Sequence, residues 1–449
     1  MKQRNTFRLS IVRIIAAVTV TTLALLGTGA AGGAPVHKTP SLPELFNGFV
    51  VGAFAGAKIG SPQEIFHALT ADDPFYKEPK LTGTEKPGTL IKSKKVDVMF
   101  TGVKPANLNA YKIMYVTTGL DAKTPEISTG IVMVPQGRRG GDRKVISYQE
   151  ANDSVGGNCH PSGQWTGQNP MDGSSWSALG PLAIMFDKGY TVTISDVGNN
   201  GDTSPHGVFA GTYAGHAQLD AVRAAQQLPK EAPRKDAEIV LFGIAGGGVG
   251  AARAAEDQDV YAPELTVKAA VLEGMVINER NFMRIANGSI GSGFAFANLL
   301  GLEPKYPDMN IDAHLNPAGK AVADWYRTQC QTPAYFMMPF VPLQTLFKGN
   351  RNPADIPSFQ RAYRDNVLGK KAPKPKVLIT SCAKDDSIMS IVPAKDARNL
   401  AATYRRGGTR VTYAPTNCSW IEMITNLYHW GTDLFGVQTL AWVDAQFTR

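Results

Sequence analysis

The residues with chemical potential gather around one turn. Residues 237–243 (AEIVLFG) are an apolar run that predicts a strand, and Gly243-Ile244-Ala245-Gly246-Gly247-Gly248-Val249-Gly250 leads from it into an alanine-rich segment that predicts a helix. A strand, a tight glycine-flanked turn and a helix is the setting of a nucleophile elbow, where small neighbours let the central residue sit in a strained turn with its side chain exposed. Gly243 and Gly247 occupy the flanking places. The central place holds Ala245, which has no oxygen or sulfur and cannot form an acyl intermediate.

An elbow of this kind works with an acid and a histidine that follow it in the chain. After the apolar run 376–381 comes Cys382-Ala383-Lys384-Asp385-Asp386, a strand-end loop where the acid would stand, with Asp385 preferred over Asp386. Of the seven histidines, His429, in Tyr428-His429-Trp430-Gly431 ahead of the last amphipathic segment, alone falls where the base would stand. The rival reading is a dinucleotide turn, since Gly246-x-Gly248-x-x-Ala251 also follows a strand and opens a helix. Such turns belong to a first strand–helix–strand unit, whereas this one begins past residue 240, and nicotinamide cofactors are not expected outside the membrane. No cofactor is therefore expected.

These residues need a scaffold, and the chain predicts one. Short β-branched runs at 144–149, 190–195, 237–243, 267–273, 376–381 and 409–414 alternate with helical segments at 215–228, 249–257, 394–405 and 438–447. That alternation points to an α/β fold with a mostly parallel sheet and helices on both faces. Between Gly274 and Pro373 the rhythm breaks for about 100 residues, rich in aromatics such as Phe282, Phe296, Phe347 and Phe359. An insertion of that size between core strands reads as a cap or lid, whose aromatics either form its own core or line an acyl pocket. The expected divisions are a leader at 1–30, an N-terminal lead at 31–69, core at 70–275, cap at 276–373 and core again at 374–449.

The leader is read from Lys2, Arg4, Arg8 and Arg13, the apolar run 14–26 and the small residues that close at Ala30-Ala31. This is the pattern of a cleaved secretory signal peptide; the run is too short for the roughly 20 residues of a membrane span. Its removal lowers the formal charge from +8 to about +4, which gives no case for nucleic-acid binding. The four cysteines, Cys159, Cys330, Cys382 and Cys418, suggest two disulfides in an oxidising compartment, with three pairings open. None has C-x-x-C spacing, so no metal site is expected. The apolar stretch 48–60 (GFVVGAFAGAKIG) reads as a helix packed on the body, or as a contact with a lipid surface.

The chain resembles the fungal and actinobacterial secretory lipases, a family within the α/β-hydrolases. The resemblance rests on Asp73-Pro74-Phe75-Tyr76, on residues 128–135 (STGIVMVP), and on Ser147-Tyr148-Gln149 leading to Asp153 and Cys159-His160-Pro161-Ser162. It continues through residues 219–225 (LDAVRAA), the elbow, residues 261–265 (YAPEL), Asp385 with Ile391-Val392-Pro393, and His429 with Trp442. It implies an α/β-hydrolase fold with a cap, cofactor-free hydrolysis of acylglycerols or other esters, and an oxyanion hole at Asp153 and Gly246. The implied architecture also favours one cysteine pairing: Cys382 with Cys418 at the ends of consecutive strands, and Cys159 with Cys330 between core and cap.

Two departures bear on activity. The family carries G-Y-S-x-G-G where this chain has Gly243-Ile244-Ala245-Gly246-Gly247-Gly248, and Pro393 follows Asp385 by eight residues where about four is usual. Loss of a serine nucleophile lowers turnover by about 10⁶ in well-studied proteases. The expectation is a secreted or cell-envelope protein that binds a lipid or acyl-ester ligand as a monomer, with peripheral envelope contact and little or no hydrolysis. The alternatives are a working lipase, carboxylesterase or acyltransferase, using water activated by His429 and Asp385 or a second nucleophile such as Ser154, and a structural envelope protein.

Overall fold

The structure, a computed structural model, describes residues 38–47, 56–137, 141–170, 172–199, 207, 209–332, 337–386, 390–434 and 436–447. The leader expected at 1–30 and residues 48–55 of the Gly/Ala-rich stretch lie outside the described residues. In chain order the strands are β1 (Lys58–Ile59), β2 (Leu90–Val96), β3 (Val103–Lys104), β4 (Leu108–Thr118), β5 (Pro125–Pro135), β6 (Lys144–Gln149), β7 (Thr191–Ser195), β8 (Glu238–Ile244), β9 (Thr266–Glu273), β10 (Lys376–Thr380) and β11 (Val411–Tyr413). Nine of them make one sheet in the order β11-β10-β9-β8-β6-β7-β5-β4-β2. From β11 to β7 every neighbour is parallel. At the other edge β5, β4 and β2 are antiparallel.

The parallel half follows from its side chains. A strand sends alternate residues to opposite faces, and here both sets are apolar. Val240, Phe242, Ala269, Val271 and Leu378 join Leu182, Met185 and Leu440 in one buried cluster. Ile239, Leu241, Ala270, Leu272, Val377 and Ile379 join Leu219, Val222, Ala251 and Leu400 in another. A fully buried side chain of this type contributes about 1.5–3 kcal/mol, so helices on both faces are required. Those helices are α1 (Gly173–Asp187) on the first face and α2 (Gly211–Ala225), α3 (Gly246–Tyr261) and α4 (Ala394–Arg406) on the second.

Between β9 and β10 the chain leaves the sheet and folds as short helices, among them Glu279–Ala286, Ser292–Leu302, Pro317–Tyr326 and Gln360–Asn366. Phe282, Phe296, Phe347, Phe359 and Tyr363 pack with one another and with Phe209, Tyr213 and Val249 of the body, so these aromatics are the segment's own core. Phe340 stands exposed, and Tyr335 and Phe336 lie outside the described residues. The four cysteines pair as Cys159–Cys330 and Cys382–Cys418, each with a Cα–Cα distance of 5.4 Å.

Some boundaries differ from the sequence reading. The helix read at 215–228 starts at Gly211 and ends at Ala225, and that read at 438–447 shortens to Leu440–Asp444. The packed helix read over 48–60 is not what its described residues form. Lys58 and Ile59 instead pair with Lys104 and Val103 in a small antiparallel sheet.

Candidate functional site

Strand β8 ends in the middle of the parallel half, where its neighbours also end. Gln149 of β6 pairs with Gly243, and Glu273 of β9 pairs with Ile244. Ala245 follows as the residue before α3, with φ 50° and ψ −120°. That conformation is costly for a residue bearing a Cβ, of order 1–3 kcal/mol, and persists only when its surroundings fix it. Here they do: the Ala245 N–H donates to the Glu273 carbonyl at 2.9 Å, and the Gly248 N–H donates to the Ala245 carbonyl at 3.0 Å. The elbow geometry is retained around a side chain that is only a methyl group, and Ala245 is half-buried.

Two glycines are fixed by how closely the neighbouring loop approaches. A Cβ on Gly247 would lie 2.2 Å from the Glu150 carbonyl oxygen, and one on Gly246 would lie 2.2 Å from Asp153 Oδ1. The sequence reading paired Asp153 with Gly246, and the structure brings them together. The Gly246 amide is the first of helix α3, a position whose N–H has no partner within a helix. The Asp153 amide is taken, donating to Gln331 Oε1 at 2.9 Å. Gln331 answers with its own N–H to Ser154 Oγ at 3.1 Å, and Gly156 N–H reaches the Gln329 carbonyl at 3.0 Å. The Cys159–Cys330 disulfide closes the same seam. Ser154 is thus buried, with its hydroxyl accepting a main-chain hydrogen bond, which explains nothing of a nucleophile.

Buried carboxyl groups flank the elbow, and sequence reasoning passed over them. Burial pushes Glu273 up to about 8, with Asp433 adding to the shift and Thr439 opposing it. Glu150 is likewise raised to about 8 by burial, while Trp165 Nε1 donates to its Oε1. A carboxylate directly after the apolar run Ala269–Leu272, as Glu273 closes β9, was the available signal. A Cβ on Gly436 would lie 2.5 Å from Glu273 Oε2 and 2.9 Å from Ile244 Cδ1, so the turn after helix Leu427–Leu434 rests on the ends of β8 and β9.

His429 lies on that helix, and its carbonyl accepts from Gln438 Nε2 at 2.7 Å. Its Nδ1 stands 3.4 Å from Glu422 Oε1. Asp385 is exposed, and its Oδ1 accepts from Ser390 Oγ at 2.9 Å and from the Ala394 N–H at 2.8 Å, at the start of α4. The structure therefore joins Asp153 to Gly246 but does not join Asp385 to His429. Two cavities, of about 660 and 480 Å³, lie elsewhere, and Ala245 lines neither. Among the described residues no cluster of three or more His, Cys, Asp or Glu could hold a metal ion.

A mostly parallel sheet with helices on both faces and a tight elbow at the end of its central strand defines the α/β-hydrolase fold. Candida antarctica lipase A shares it, with a TM-score of 0.67 and 24% identity over 78% of this chain and 80% of that one. The secretory lipase family model matches residues 180–449, and the chain belongs to the secretory lipase family. A Mycobacterium tuberculosis protein described as a probable inactive lipase is 28% identical over 378 residues, 82% of either chain. A secreted triacylglycerol lipase of Malassezia globosa is 27% identical over 355 residues, 76% of this chain and 72% of its own.

Proposed function

We propose that this member of the secretory lipase family is exported through its N-terminal leader and binds an acyl-ester or lipid ligand at the elbow without turning it over. The observation that carries this reading is Ala245 in the elbow conformation, φ 50° and ψ −120°, with no nucleophilic atom at its tip. Gly246 and Asp153 supply the oxyanion positions, Asp385 keeps the acid's place in the chain, and His429 is the residue derived from the base. Because the Asp153 amide is engaged by Gln331, a hydrogen bond from Asp153 to a carbonyl oxygen would come from its protonated carboxyl, beside the Gly246 N–H. The helical segment between β9 and β10 acts as a cap over the site, and the two disulfides suit an exported monomer with peripheral contact at the cell envelope.

The test is binding and turnover on one sample. Residues 31–449 are titrated with a medium-chain aryl ester and a fluorescent fatty acid, and ester cleavage is followed in parallel. Saturable binding with cleavage at the blank rate is expected. Cleavage above blank that His429→Ala removes would replace this reading with a working hydrolase. Neither binding nor cleavage would replace it with a structural envelope role.

A further inference from the structure

Helix Trp420–Thr425 begins two residues after Cys418, so the Cys382–Cys418 disulfide ties its start to the loop that leaves β10. Ser419 caps it, accepting the Glu422 N–H at 3.3 Å. Glu422 is one turn in, and its Oε1 also accepts Asn426 Nδ2 at 2.9 Å, which holds the carboxylate in one orientation. Asn426 links this helix to the next, since its N–H donates to the Glu422 carbonyl at 2.8 Å and its carbonyl accepts the Trp430 N–H at 3.0 Å. The result sets Glu422 Oε1 3.4 Å from His429 Nδ1.

The two edges of the histidine ring differ. Nδ1 is sealed from solvent and makes no hydrogen bond, whereas the side chain as a whole is 40% exposed. Asp385, in the acid loop, is committed to Ser390 and to the first turn of α4. Asp433, four residues along the same helix, is buried and acts electrostatically on Glu273.

We infer that Glu422, not Asp385, is the positioning carboxylate of His429 in this chain. A carboxylate opposite Nδ1 favours a proton on that nitrogen and leaves Nε2 as the free, outward acceptor. The longer acid loop has turned Asp385 into a helix cap, and a carboxylate from the disulfide-anchored helix faces the ring in its place. The inference rests on His429 being the base-derived residue of the site.

The test is ¹⁵N-histidine NMR of residues 31–449 with His429 neutral, which reads the tautomer of its ring whether or not the chain binds an ester. The native chain is expected to show the Nδ1–H tautomer, and Glu422→Gln to shift the ring toward the Nε2–H tautomer by about tenfold in population ratio. Glu422→Asp should recover part of that change, and Asp385→Asn should leave the ratio unchanged. A ratio unmoved by Glu422→Gln, or shifted by Asp385→Asn, overturns the inference. Should Glu422→Gln fail to fold, the native chain decides. There, ¹⁵N shifts of the Nδ1–H tautomer support the inference and those of the Nε2–H tautomer refute it. Failure of ligand binding would count against the proposed function and leave these readings intact.

Discussion

The main-chain N–H of Ala245 donates to the carbonyl of Glu273 at 2.9 Å, joining the tip of the elbow to the end of the adjacent strand. That bond helps to hold a non-glycine residue at φ 50°. The same strand end carries a buried carboxyl. The elbow is therefore fixed by its neighbours and does not depend on what its central side chain can do.

Relief of the strain at Ala245 is measurable. Ala245→Gly removes the Cβ at a positive-φ position, against a larger loss of backbone freedom on folding, and the net is expected to be a gain of up to ~1 kcal/mol. Urea unfolding of the two chains reads it. A loss above ~1 kcal/mol would mean that the methyl group packs more than it strains.

Gly246→Ala tests the contact with Asp153. The added Cβ would start 2.2 Å from Asp153 Oδ1 and 2.8 Å from the Asn152 carbonyl. Overpacking of this kind costs about 1–3 kcal/mol. The urea midpoint should fall accordingly, and an unchanged midpoint would show that the loop yields freely.

Three buried carboxyls make stability fall as pH rises. Glu150, Glu273 and Glu279 are each raised by burial from 4.5 to about 8. Between those values the folded state holds protons that the unfolded chain has released. Their stabilising contribution is therefore complete below about 4.5 and is lost as pH rises through about 8. Thermal midpoints should fall between pH 5 and 8.5, less steeply in Glu273→Gln. Equal slopes in the two chains would remove Glu273 from this explanation.

The Cys159–Cys330 disulfide joins residues 171 apart and closes the seam in which Gln331 holds Asp153 and Ser154. Replacing both cysteines by serine is expected to cost about 2–4 kcal/mol. Amide exchange should rise at Asp153 and Gln331 ahead of the sheet. Uniform exchange across the molecule would contradict a local clasp.

Much of this architecture is legible in the amino-acid order because the parallel strands are short apolar runs buried on both faces. β6 matches its sequence reading residue for residue, β8 shifts by one residue, and β9 starts one residue earlier. The elbow is legible because a Cβ on Gly246 or Gly247 would come within 2.2 Å of the adjacent loop. What escapes are features settled by partners distant in the chain. Helix α2 starts at Gly211 because its N–H donates to Asn366 Oδ1, 155 residues away. Gln331 bonds Asp153 across 178 residues. Asp385 stands after β10 as read, yet its carboxylate accepts from the first turn of α4, and no pattern of residue types marks Glu422 as the group facing His429.

Restoring the missing atom tests the central claim most directly. Ala245→Ser and the native chain, each as residues 31–449, are exposed to a fluorophosphonate probe and assayed on aryl esters. The serine chain is expected to take up the probe and to exceed native turnover by at least about 10³-fold, well inside the range that loss of a nucleophile removes. Native turnover above blank, or a serine chain that neither labels nor turns over, would contradict an elbow silenced by the loss of its nucleophile.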